Sequence, residues 1–324
     1  MKIKSLLHPF KSYDRYVWRK HHKNGTWNKL VETNKKRALE LEWRHVYNTK
    51  LDFKHPKTLN EKIQWLELYS DTSIWSKLTD KYEVRSFVKE RGYENTLLKV
   101  YGVWNDVSEI DYDSLPNSFA IKCTHDCGST LIIRDKTKNF NKTSTNKQLQ
   151  DHLSEAFGYL SCEPHYISIP RRIMAEELLP QSSSSSSINH SNTIDYKIWC
   201  IEGKAQFILV CYERNIGKDA IKEIYNIYPW KPIREYLSEK YQHQDFKEIP
   251  EPKNLQEMVK MAEDLAKGFH QVRVDLYNID GKIYFGEMTF TAACGRMESL
   301  SDEVQLMLGQ KIKLPKPTSF SPIR

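Results

Sequence analysis

The segment Val272-Arg-Val-Asp-Leu-Tyr-Asn-Ile-Asp-Gly-Lys-Ile-Tyr-Phe-Gly-Glu-Met-Thr-Phe290 constrains this chain more than any other. Apolar and polar residues alternate on both sides of Asn278-Ile-Asp-Gly281, the pattern of two strands joined by a tight turn. Glycine at the last turn position suits a three-residue hairpin loop, a type I turn followed by a left-handed residue. In that register residue 278 faces 282, Arg273 faces Glu287 and Asp275 faces Phe285. Side chains alternate across a strand, so Arg273, Asp275, Glu287 and Thr289 share one face. Val272, Val274, Leu276, Tyr284 and Met288 take the other. A two-residue turn at Asp280-Gly281 would put Asp275 and Glu287 on opposite faces, so the chemistry depends on a single residue of register. If the three-residue register holds, two carboxylates and an arginine converge. Such a donor set suits a hard cation like Mg²⁺, with phosphates as further ligands. The same pattern fits a charged solvent face with an Arg273–Glu287 pair.

Composition narrows how phosphate could be held. The chain has 12 glycines in 324 residues, roughly half of the ordinary ~7%. It contains neither G-x-G-x-x-G nor G-x-x-x-x-G-K-[ST], so no glycine-rich phosphate cradle is available. Side chains must do the work. Lys122 lies in the apolar strand Phe119-Ala-Ile-Lys-Cys123, where a lysine implies an anionic partner or a path to solvent. The loop His125-Asp-Cys-Gly-Ser129 follows it and offers amides and a hydroxyl. Further on, Arg172–Leu179 is a strand ending in two carboxylates and two leucines, and Asp195-Tyr-Lys197 puts Asp195 and Lys197 on one strand face.

The N-terminal third reads as helical, over 26–48, from the capping box Thr58-Leu-Asn-Glu61 through Leu68, and from Ile74 to Glu90 with a stop at Gly92. Strands follow at Phe119–Cys123, Thr130–Arg134, Arg172–Leu179, Asp195–Ile201, Ala205–Cys211, Val272–Tyr277 and Lys282–Phe290, separated by helices near 146–158 and 254–267. This is an α+β pattern with hairpins. The tract Ser182–Ser187 and the polar residues after it read as a loop, either a tolerated insertion or a lid.

Six dispersed cysteines fit free thiols in a reducing compartment. Cys123 and Cys127 enclose His125 and Asp126, but no second ligand pair sits at zinc-site spacing. No secretory start or membrane-spanning run is present, which leads us to expect a cytoplasmic protein. Charge is uneven. The whole chain is +7, while residues 1–50 hold 13 Lys+Arg against 4 Asp+Glu. Arg15, Trp18, Arg19, Lys20 and Trp27 mix aromatic and basic groups in a way that suits an anionic membrane surface. A solubilising helical surface explains the charge equally well, and no nucleic acid is expected.

In this order the motifs resemble the ATP-grasp superfamily, in particular its TupA-like branch, known from teichuronopeptide and capsular polysaccharide biosynthesis. The similarity runs from His55-Pro-Lys-Thr-Leu-Asn-Glu-Lys-Ile-Gln-Trp65 through Thr79-Asp-Lys-Tyr-Glu-Val-Arg85, Phe119–Ser129, Arg172–Leu179 and Asp195-Tyr-Lys197 to Val272–Phe290. The resemblance implies two α+β subdomains holding MgATP. Residues 1–54 then form a basic helical arm, 55–116 a mainly helical subdomain and 117–324 the ATP-grasp domain. Within that domain, about 117–180 binds nucleotide and about 190–300 carries metal and catalysis.

By the same resemblance, Lys122 and Lys197 look like phosphate-contacting lysines, with Asp195 beside them. His125, Gly128 and Ser129 belong to the loop over the phosphates, and Glu176, Glu177 and Leu179 to the hinge that reads adenine. Asp275 and Glu287 resemble the Mg²⁺ ligands, and Arg273 the arginine that steadies developing charge. Thr289 stands where many members have Asn, so a hydroxyl or its water replaces an amide ligand. Thr291-Ala-Ala-Cys-Gly-Arg296 stands where the branch often has a Pro-Gly-rich turn.

The implied chemistry is ADP-forming carboxylate–amine ligation through an acyl phosphate. The expected acid is a uronic acid of a surface glycan, sugar nucleotide or lipid-linked precursor, and the partner an amino acid or amine. Arg171, Arg172, Arg214 and Arg296 are candidates for gripping carboxylates. Competing readings are a phosphotransferase acting on a glycan, a glycosyltransferase using Asp111-Tyr-Asp113, and a non-enzymatic adaptor using the basic arm.

Overall fold

A computed structural model describes residues 9–182, 194–213 and 220–318. Residues 183–193, most of the serine tract, and Arg214 lie outside the described residues.

The chain begins with helices α1 (Pro9–Lys23), α2 (Trp27–Thr33), α3 (Lys35–Tyr47), α4 (Leu59–Tyr69), α5 (Ser73–Thr79) and α6 (Val84–Glu90). Two helices expected as continuous are each broken, for a local reason. Asn34 leaves helical geometry at φ −150° and accepts a hydrogen bond from the Arg37 amide, capping α3. Asp80 accepts from the amides of Tyr82 (2.8 Å) and Glu83 (3.2 Å), a local turn that competes with helix and separates α5 from α6. The capping box at Thr58 and Glu61 forms, and α6 is followed by left-handed Gly92.

A four-stranded antiparallel sheet follows, built from β1 (Val100–Trp104), β2 (Phe119–Cys123), β3 (Leu131–Ile133) and β4 (Ile173–Glu176) in the order β1-β4-β2-β3. Between β3 and β4 come α7 (Lys136–Asn139), α8 (Lys142–Ser154) and α9 (Pro164–Ile167). Phe119, Ile121, Cys123, Ile173 and Ala175 point to one face and pack with Leu149 and Leu153 of α8. Alternation therefore turns Lys122, Met174 and Glu176 to the other face.

The second sheet has six antiparallel strands: β5 (Asp195–Ile201), β6 (Lys204–Tyr212), β7 (Ile221–Asn226), β8 (Lys231–Pro232), β9 (Gln271–Ile279) and β10 (Lys282–Thr289), in the order β10-β9-β5-β6-β7-β8. Helix α10 (Leu255–Ala266) lays Met258, Met261, Ala262 and Leu265 against Ile198, Val210, Val274 and Met288. The same core takes in Trp27, Val31, Leu39 and Trp75 from the N-terminal helices. Helix α11 (Asp302–Lys311) packs on α4, where the Asn60 amide hydrogen bonds Gln305 at 3.1 Å.

The hairpin corrects one expectation. Its turn is the two-residue Asp280-Gly281, both at positive φ (54° and 92°), and Lys282 pairs with Ile279. Those are the dihedrals of a type I′ turn, which suits the twist of antiparallel strands better than the expected three-residue loop. Continued unbroken, this register would put Asp275 and Glu287 on opposite faces. A bulge between Phe285 and Glu287 shifts it by one, so Glu287 pairs with Asp275 and Thr289 with Arg273. Gly286 is the extra residue. A Cβ there would lie 2.9 Å from the Asp275 carbonyl oxygen.

Candidate functional site

Three adjacent strands bring Lys197, Asp275 and Glu287 into one row, since Lys197 pairs with Asp275 and Asp275 with Glu287. Asp195 and Tyr277 form the next row, and Trp199, Arg273 and Thr289 the row on the other side. Arg273 binds Asp275 through a fork, Nε to Oδ1 at 2.6 Å and Nη2 to Oδ2 at 2.7 Å. Its Nη2 also reaches Glu287 and Thr289, each at 3.1 Å. Lys197 Nζ donates to Asp275 Oδ2 and lies 3.5 Å from Asp195.

Burial separates the two carboxylates. The Asp275 side chain is 4% exposed and the Glu287 side chain 45%. Burial alone would raise the Asp275 carboxyl, but Arg273 and Lys197 hold it below the usual carboxylate range. Burial opposes the charges on Arg273 and Lys197 as well, and Asp275 wins, raising both.

This donor set fits a hard divalent cation. Both carboxylates and the Thr289 hydroxyl offer oxygen. Glu287 uses only Oε1, accepting from Arg273 and from Thr289 at 3.0 Å, and its Oε2 has no hydrogen bond among the described residues. A carboxylate has about four lone-pair sites, and Asp275 accepts three bonds, leaving one position. Arg273 thus organises Asp275, Glu287 and Thr289 together. Among the described residues, no group of three His, Cys, Asp or Glu side chains forms a metal site by itself, so remaining ligands must come from substrate or water.

Lys122 and Glu176 form an ion pair on the four-stranded sheet, and Arg85 Nη1 lies 3.8 Å from the other Glu176 oxygen. The Glu177 amide donates to the Lys99 carbonyl at 2.8 Å. Leu179 packs with Leu98, Ile279 and Tyr284, joining the strap after β4 to the hairpin of the other sheet. Ser182 Oγ donates to Asp280 at 2.6 Å, completing that crossing.

The loop His125–Ser129 is organised from within. Ser129 Oγ donates to Asp126 at 2.5 Å and accepts from the Cys123 amide at 3.0 Å, so its hydroxyl is already used. His125 is buried, and desolvation lowers its pKa. Gly128 has φ 92° and open space where a side chain would stand, leaving this backbone approachable. The Cys127 thiol is pushed up, first by desolvation and next by the Glu287 carboxylate, which puts the loop within electrostatic range of the second sheet's site.

The four arginines proposed to grip substrate divide differently. Arg172 binds Asp80 at 2.7 Å and Glu83 at 2.8 Å, fastening β4 to the α5–α6 junction. Arg296 is buried, donates to the Ser161 carbonyl at 3.0 Å and lies 3.7 Å from Glu42. Both have internal partners, while Arg172 Nε and Arg296 Nη1 are buried without a hydrogen bond among the described residues. Arg171 is exposed and donates to Leu153. Asp111, the first residue of the Asp-x-Asp triplet, caps its own turn through the Asp113 amide at 3.1 Å.

Reasoning from sequence missed Tyr277, which hydrogen bonds Asp195, and the work of Asp80, Lys81 and Arg85. It also missed Glu163 and Thr291, which hydrogen bond beneath the loop after β10, where Ala293, Cys294 and Gly295 are all left-handed. The charges of Asp80–Arg85 were visible, but their partners lie 13 to 92 positions away along the chain.

The family model described as TupA-like ATPgrasp matches residues 61–313. The chain belongs to the TupA-like ATP-grasp family. The expected fold follows, with two antiparallel sheets and helices in an α+β arrangement. No curated protein matches the chain. Solved structures show distant similarity. D-alanine–D-alanine ligase from Bacillus anthracis complexed with ATP is 13% identical, with 68% of this chain and 57% of that chain covered and a TM-score of 0.38. The ATP-grasp ligase PsnB with minimal precursor, Mg and ADP is 12% identical over 91% and 68%, TM-score 0.38. L-amino acid ligase from Bacillus licheniformis is 10% identical over 81% and 55%, TM-score 0.40. The TupA-like chain therefore spans little more than half of two of these ligases.

Proposed function

We propose that this TupA-like protein is an ATP-dependent, ADP-forming carboxylate–amine ligase that amidates a uronic acid of a surface polysaccharide or its precursor with an amino acid or amine. The observation that supports it best is the Lys197–Asp275–Glu287 row, tied together by Arg273. It combines a cation site with a lysine for phosphate.

In this reading Asp275 and Glu287 hold Mg²⁺, with Thr289 contributing its hydroxyl or a held water. The ion supplies neutralisation of phosphate charge. Lys122 and Lys197 bind phosphate oxygens, and the Gly128 backbone covers them. Glu176, Glu177 and Leu179 border the adenine, and Asp195 with Tyr277 orients Lys197. Arg273 keeps the two carboxylates and Thr289 in fixed relation and carries positive charge next to the transferred phosphoryl group. Catalysis then rests on position and charge, the terms such a transfer needs most. Arg171 remains as a candidate for the acid's carboxylate. A carboxylate oxygen of the acid attacks the γ-phosphorus of ATP, the bond from that phosphorus to the β-phosphate oxygen breaks, and ADP leaves, giving the acyl phosphate. The amine nitrogen then displaces phosphate from the acyl carbon and loses a proton.

We place the reaction in the cytoplasm at an anionic membrane face, through residues 1–50. Helix α1 turns Tyr13, Arg15, Tyr16, Arg19, Lys20 and Lys23 outward, while Trp18 packs inward on Glu42 and His45. Among the described residues no helix is long and apolar enough to cross a membrane.

The test is incubation with ATP, Mg²⁺, a panel of uronic acids and hydroxylamine. ADP release with hydroxamate formation supports ligation. Absence of both across the panel sinks it, and a phosphorylated glycan would make the protein a phosphotransferase.

A further inference from the structure

The segment Asp80-Lys-Tyr-Glu-Val-Arg85 carries four charged side chains that the proposed chemistry leaves unused, and their contacts converge on the nucleotide site. Asp80 and Glu83 bind Arg172, the residue just before β4. The Lys81 amide donates to the Thr124 carbonyl at 3.1 Å, and its ammonium donates to the Asp126 carbonyl inside the loop after β2. Arg85 donates to the Leu98 carbonyl and approaches Glu176. One short segment thus fastens the loop, the root of β4 and the partner of Lys122.

Arg85 has the most specific task. Glu176 is 7% exposed. Among the described residues, the cations within 4.0 Å of it are Lys122 and Arg85. A lysine bound to a buried carboxylate cannot turn to a phosphate without leaving that carboxylate uncompensated, which is costly. A second cation beside Glu176 removes that obstacle. Arg85 is suited to stay, because its guanidinium is also anchored on Leu98, whereas a lysine ammonium on a flexible stem is suited to move.

We propose that Arg85 is a positioning residue that frees Lys122 for nucleotide phosphate by keeping Glu176 compensated when Lys122 leaves it. This rests on the reading of Lys122 as a phosphate ligand. It gives Glu176 a role apart from adenine, as the resting partner of Lys122.

The experiment is calorimetric binding of a non-hydrolysable ATP analogue, and of adenosine, to the full chain. Arg85→Met should weaken the analogue about tenfold, the size of one charge-assisted hydrogen bond, and leave adenosine unchanged. Arg85→Lys should recover most of the loss, and it serves in place of Arg85→Met if that variant does not fold, then with a smaller loss of the same pattern. In a Glu176→Gln background, where no charge needs compensation, Arg85→Met should cost almost nothing. An equal factor in both backgrounds, or equal weakening of adenosine, would overturn the proposal, because Arg85 would then be acting on the scaffold. Lys122→Met separates the two readings. If it binds the analogue as the unaltered protein does, the phosphate reading of Lys122 fails. If it weakens binding while Arg85→Met does not, the role of Arg85 alone fails.

Discussion

Glu287 stands directly across from Asp275 only because Gly286 is inserted as a bulge ahead of it. The Cβ of any other residue at 286 would meet the Asp275 carbonyl oxygen at 2.9 Å. Gly286→Ala should therefore cost roughly 1–3 kcal/mol, the range for overpacking. It should also shift Glu287 away from Asp275. Urea denaturation checks the first effect, and loss of Mg²⁺-enhanced binding of an ATP analogue checks the second. A variant with unaltered stability and metal response would contradict the role given to the bulge.

The two carboxylates should respond differently to neutralisation. Asp275→Asn removes the partner of Arg273 and Lys197 in a buried setting, which should cost about 3–5 kcal/mol. Glu287→Gln alters a half-exposed group and should cost under about 1 kcal/mol. Equal losses of stability in the two variants would refute this division between a buried keystone and an open ligand.

Arg296→Ala should behave as a folding variant. It removes the arginine beside buried Glu42, which among the described residues keeps only the Trp18 indole as a hydrogen-bond donor, and leaves the Ser161 carbonyl without its donor, so a loss near 3 kcal/mol is expected. A stable Arg296→Ala protein with only a raised KM for the acid would restore Arg296 as a substrate group.

How much of this was legible in the sequence depended on range. The polar row came from strand alternation in β9, β10 and β5, where residues two apart fix the face. The turn was misread, since Asn278-Ile-Asp-Gly281 satisfies three- and two-residue loops equally, and the bulge that restores the face arises from Gly286 packing on another strand. The breaks at Asn34 and Asp80 were missed because a side chain capping its own backbone leaves the apolar periodicity intact. Arg172 and Arg296 looked like free cations because their acidic partners are remote in sequence.

Glu67 gives a pH prediction. Burial first, and then the Glu163 charge, push its carboxyl from 4.5 up to about 8, against Lys35 and Arg296. The folded protein keeps a proton that the unfolded chain releases, so stability is fullest below the ordinary value and declines as pH rises toward the folded one. Relative to Glu67→Gln, the unaltered protein should lose up to about 1.4 kcal/mol per pH unit across that window. Asp275 acts in the opposite sense. Its depressed carboxyl stabilises the fold above about pH 4, and that contribution is lost in stronger acid. A stability difference from Glu67→Gln that stays flat with pH would show that Glu67 is ionised in the fold.

Helix α1 should meet anionic surfaces through its outward basic face. Replacing Arg19, Lys20 and Lys23 together by Glu should abolish sedimentation with phosphatidylserine vesicles at low salt, since each basic residue near such a surface contributes about 1 kcal/mol. Unchanged sedimentation would remove the membrane from the account.

The most direct test of the central claim, that Asp275 and Glu287 jointly hold the cation of a bound nucleotide, is calorimetric titration of a non-hydrolysable ATP analogue with and without Mg²⁺. The unaltered protein should bind markedly tighter with Mg²⁺. Glu287→Gln should erase that increment and leave the metal-free affinity intact. Equal Mg²⁺ enhancement in the two proteins would contradict the claim.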